Sequence, residues 1–96
     1  MSPIKRKKLS KIRLELDKLD NSLIKLIKKR TNLVKKVLEL KDKRNQIVDQ
    51  KRIKLILKNV KKKSIKNKID PKITNRIWKN MIWSYIDFEK RNFKKK

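Results

Sequence analysis

The chain has 96 residues, with 33 Lys plus Arg against 9 Asp plus Glu and a formal charge of +24 at pH 7. It contains no Gly, Cys, His or Ala. Those absences exclude disulfide frameworks, thiol nucleophiles, imidazole acid–base catalysis, ordinary zinc sites and glycine-dependent phosphate loops.

The first predicted element is a long helix. Leu9, Leu16, Leu23 and Val37 recur at heptad spacing, and Ile12, Leu19, Leu26, Leu33 and Leu40 hold the companion position. A coiled-coil seam therefore runs from about Leu9 to Leu40. With no Pro or Gly inside it, a helix of ~35–40 residues is ~50–60 Å long, whereas a compact domain of about 100 residues has a radius of gyration of only ~13 Å. One such chain cannot cover the seam, and an obligate homodimer is expected. The polar stretch Asp42–Gln50 breaks the pattern and reads as a loop. Asp49 suits the N-cap of a shorter helix from about Gln50 to Lys63, with Ile53, Ile56, Leu57 and Val60 as its apolar stripe. A basic connector, Lys61–Lys68, leads to Asp70-Pro71, an N-cap followed by proline at the first helical position. The third helix carries Ile73, Ile77, Met81, Tyr85 and Phe88 and runs to about Phe93. No alternating strand pattern occurs, so the fold class is all-α, with one long, one short and one medium helix. A single domain spanning 1–96 is expected, with basic, flexible ends at about 1–8 and 94–96. No apolar run approaches the ~18–20 residues of a membrane span, and the basic start lacks the apolar segment of a signal peptide. A soluble cytoplasmic protein is expected.

Most of the charge reads as a solvated Lys coat, because the lysines are spread along the whole chain in short runs. The coat still creates a field that attracts anions. A basic helical nucleic-acid-binding protein is the non-enzyme alternative. Some cations stand apart. Counting by sevens from Leu9, Arg30 occupies a seam position that is Leu or Val elsewhere. An unpaired buried guanidinium there costs on the order of several kcal/mol, so Arg30 pairs with an acid, sets register, or faces an anion pocket. Arg13 and Lys41 share a second heptad position; with Arg30 on the same side of one helix, the anion pocket is the better account. Arg52, in the first turn of the second helix, is either a surface cation or a fourth anion ligand beside backbone N–H donors. Glu89, after Phe88 and four residues beyond Tyr85, reads by itself as a surface partner for Lys or Arg.

The ordered set of these residues resembles the all-α chorismate mutases. Ile12-Arg13, Leu16-Asp17-Lys18-Leu19-Asp20, the leucine-rich stretch closed by Arg30, Leu33-Val34-Lys35-Lys36-Val37 and Leu40-Lys41 are similar to that family's first helix. Asp49 to Arg52 resembles its second-helix start, and Ile69-Asp70-Pro71 with Ile77-Trp78 through Phe88-Glu89 its third helix. The likeness covers about Leu9 to Phe93. It implies an intertwined homodimer with two shared sites that convert chorismate to prephenate for phenylalanine and tyrosine synthesis, with no cofactor and no metal. It further implies that Arg13 reaches in from the partner chain, that Arg30 and Arg52 hold substrate carboxylates, and that Lys41 and Glu89 face the ether oxygen. Asp49 falls where the family helps to hold the ring hydroxyl, largely through main chain. Two positions depart from the pattern: Ile53 replaces a frequent Glu, and Tyr85 aligns with a frequent Ser, with Ser84 one place early. The loop between Lys41 and Arg52 is also about one residue short. Both replacements occur in the related isochorismate pyruvate-lyases, the alternative enzyme reading.

Overall fold

The computed structural model describes residues 1–94 as helices α1 (Pro3–Glu39), α2 (Gln50–Lys66) and α3 (Pro71–Asn92), with a 3-10 turn at Arg44–Gln46. Their lengths of 37, 17 and 22 residues keep the expected long, short, medium order. No strand occurs among the described residues. Of the basic tail expected at 94–96, Lys94 has no regular secondary structure and residues 95 and 96 lie outside the described residues. The chain divides into two units, Met1–Leu33 and Val34–Lys96.

The first unit is helical from Pro3 onward. The Ser2 hydroxyl accepts from the Lys5 N–H at 3.2 Å, and the Arg6 N–H closes the first helical bond on the Ser2 carbonyl at 2.9 Å. Ser2 is thus the N-cap and Pro3 the first helical residue, so the run Lys5–Lys8, expected in a flexible end, belongs to α1. No residue of α1 is buried. The seam leucines Leu16, Leu19, Leu23, Leu26 and Leu33 are all more than half exposed.

The second unit holds the core. Ile47, Ile82 and Ile86 are buried, and Leu38, Val48, Ile53, Ile56, Leu57 and Phe93 pack against them. α2 starts where Asp49, in an extended conformation, accepts the Arg52 N–H at 3.0 Å. It runs to Lys66, past the expected end at Lys63, so most of the basic connector is helical. The reason lies at Ser64. Its hydroxyl donates to the Val60 carbonyl at 2.6 Å and meets the Thr74 hydroxyl of α3 at 2.6 Å, and the side chain is 3% exposed. Ser64 has one proton, so with that proton on Val60 the Thr74 hydroxyl donates across the helix pair. α3 starts as expected: Asp70 accepts the Lys72 N–H at 2.9 Å and Pro71 follows it.

Candidate active site

Lys41 is placed by the way α1 ends. The N–H groups of Leu40 and Lys41 donate to the Val37 and Leu38 carbonyls at 3.0 and 3.1 Å, which tightens the final turn and stops the helix. Lys41 therefore lies past Glu39, outside α1, instead of on the helix with Arg13 and Arg30. Its ammonium donates to Glu89 Oε1 at 3.0 Å across 48 residues of sequence. Glu89 shares a stripe with Ile82 and Ile86, and these three are the buried residues of α3. The spacing four and then three along a helix puts all three on one face. Glu89 is therefore a buried partner of Lys41 and not the surface residue its sequence position suggests taken alone.

The Lys41 and Glu89 side chains are 17% and 7% exposed. Two charges stripped of that much water hold only because each supplies the other's counter-charge. An ammonium carries three N–H donors. Glu89 orients the group through one of them, and the remaining directions suit an anionic or ether oxygen. Among the described residues, no buried side-chain nitrogen or oxygen lacks a partner, and no cluster of His, Cys, Asp or Glu suits a metal ion. No described helix is long and apolar enough to cross a membrane.

The other expected site residues fall as follows. Tyr85 is half-buried one turn before Glu89 on the same face of α3. Ser84 is exposed and its hydroxyl donates to the Asn80 carbonyl of its own helix at 2.8 Å, so Tyr85 and not Ser84 shares the Glu89 face. Asp49 is exposed and its carboxylate is engaged as the α2 cap. Arg52 is exposed in the first turn of α2, and Ile53 beside it packs against the core. Arg13, exposed, and Arg30, half-buried, belong to the first unit. The residue that sequence reasoning passed over is Gln46. Its side-chain oxygen accepts from the N–H groups of Asp42 and Lys43 at 2.8 and 2.9 Å. The available signal was a Gln three residues after Lys43, the spacing at which a side chain reaches back to cap a turn.

The described residues form helices only, and an ion pair joins Lys41, just past α1, to Glu89 on α3. The family profile for chorismate mutase type II matches residues 12–90. The chain belongs to that family, whose name is that of an isomerase acting on chorismate. No curated protein and no solved structure matches the chain.

Proposed function

We propose that the chain is a monofunctional chorismate mutase that converts chorismate to prephenate for phenylalanine and tyrosine synthesis, as a cytoplasmic homodimer with two shared sites. The observation that carries this reading is the Lys41–Glu89 pair, part-buried and 48 residues apart in sequence, inside the stretch that matches the family. The reaction is an intramolecular rearrangement: an ether C–O bond breaks as a C–C bond forms, with no group transferred to the protein. Catalysis then reduces to holding a dianion in its reactive conformer and stabilising negative charge on the departing oxygen.

In this reading Lys41 faces that oxygen as a fixed point charge, and Glu89 beside it orients Lys41 through their ion pair. Arg30, Arg52 and the Arg13 of a second copy bind the carboxylates, a task that suits the planar guanidinium fork. Tyr85 lines the pocket on the α3 face, and Asp49, the cap of α2, helps to hold the ring hydroxyl, largely through main chain. The exposed seam supports a second copy. Covering five half-exposed leucines contributes roughly 5–10 kcal/mol before the entropy of association.

Ile53 is the observation that favours a second reading. Its side chain packs on the core and offers no polar group to a substrate hydroxyl, as in an isochorismate pyruvate-lyase. Purified protein mixed separately with chorismate and isochorismate decides between them. Prephenate from chorismate supports the mutase, and salicylate with pyruvate from isochorismate supports the lyase. Turnover of neither, with tight and salt-sensitive DNA binding, overturns both.

A further inference from the structure

We propose that Gln46 is a positioning residue for Lys41; this rests on the reading of Lys41 as the group that faces the departing oxygen. Lys41 follows the last bonds of α1 and has no helix of its own to hold it. Its ammonium stays on Glu89 only while the backbone just after it is fixed. Gln46 fixes that backbone. Its carboxamide oxygen takes the N–H groups of Asp42 and Lys43, the two residues that follow Lys41, at 2.8 and 2.9 Å. Its own N–H donates to the Lys43 carbonyl at 3.0 Å, so main chain and side chain close the same turn.

The next residue, Ile47, is 3% exposed and lies in one cluster with Ile82 and Ile86 of α3. Ile86 stands one helical turn before Glu89. One carboxamide and its neighbour thus tie the segment that carries Lys41 to the helix that carries Glu89. An amide oxygen has two lone pairs and matches two N–H donors. Gln46 itself is exposed, so its side chain contributes through these bonds and not through packing. A displacement of the order of 1 Å at a catalytic group costs as much as ~100-fold in rate, and that is the scale on which the turn acts.

Steady-state kinetics with chorismate on Gln46→Leu, Gln46→Glu, Lys41→Met and the double variant Lys41→Met/Gln46→Leu tests this. Gln46→Leu keeps the size and loses the acceptor; kcat is expected to fall about tenfold or more while KM changes less than about threefold. Gln46→Glu keeps an acceptor oxygen and is expected within about twofold of the parent. On the Lys41→Met background, Gln46→Leu is expected to add no further loss. A parental kcat for Gln46→Leu, failure of Gln46→Glu to restore it, or the full loss repeated without Lys41 would each overturn the proposal. A readout without substrate is the nuclear Overhauser contact between the Lys41 ε-methylene and the Glu89 γ-methylene. It is expected in the parent and in Gln46→Glu and lost in Gln46→Leu; its persistence in Gln46→Leu overturns the proposal. If the parent does not turn over chorismate, the mutase reading fails while this contact still judges Gln46.

Discussion

A half-buried ammonium and a buried carboxylate hold each other in place, and removing either one leaves the other without its counter-charge. Lys41→Ala is therefore expected to do two things. It lowers kcat by about 10²–10³, or roughly 3–4 kcal/mol, the range for loss of one donor to a developing oxyanion, and it lowers thermal stability because Glu89 is left buried and unpaired. Kinetics below the melting temperature, with circular dichroism on the same sample, separates the two effects. Glu89→Gln tests the counter-charge. A carboxamide keeps an acceptor oxygen for the Lys41 ammonium but carries no negative charge. Glu89→Gln is therefore expected to lower thermal stability, because the ammonium then sits without its counter-charge; thermal unfolding of parent and variant at one pH checks this. At this scale the residue types were legible and their surroundings were not. Glu89 is one of several acids in a basic chain, and only its place beside Ile82 and Ile86 makes it buried.

Among the elements, the end of α2 shows what a chain without glycine does at a helix C-terminus. The Ile69 N–H donates to the Ser64 carbonyl at 2.9 Å and the Lys68 N–H to the Ile65 carbonyl at 3.1 Å. This is the paired closure that turns the chain with one left-handed residue. That residue is Lys68, at φ 57°, where glycine carries no β-carbon penalty. Lys68→Gly is expected to raise stability by roughly 0.5–1 kcal/mol and the melting temperature by roughly 2–8 °C, read from thermal unfolding. The helix starts were legible. Asp49 and Asp70-Pro71 cap α2 and α3 as expected, because a cap and the first turn it serves are local. Ser2-Pro3 carries the same signal and begins α1, although the surrounding lysines read as a flexible end. The end of α2 was not legible, since its last turn is held by the contact of Ser64 with Thr74 on another helix.

For the molecule as a whole, the question is what covers α1. Leu23 is 54% exposed in the single chain, so Leu23→Glu costs the lone helix little and falls on the seam a second copy would cover. In sedimentation, the parent is expected as a dimer and Leu23→Glu as a helical monomer that has lost turnover, because the Arg13 of the second copy is then missing from each site. A parental monomer with full activity would sink the shared-site reading.

The sequence by itself determined an all-α chain, the starts of α2 and α3, the seam and the family likeness. Periodicity, caps and the order of charged residues act through near neighbours and survive in a list of letters. Tertiary structure alone decided that Lys41 meets Glu89 and that Glu89 is buried, whereas the Tyr85 face and the Gln46 turn rest on spacings of three and four residues. The Lys41–Glu89 contact spans 48 residues. It exists because Ile47 of the turn packs with Ile82 and Ile86 of α3, and no spacing within either segment encodes that packing.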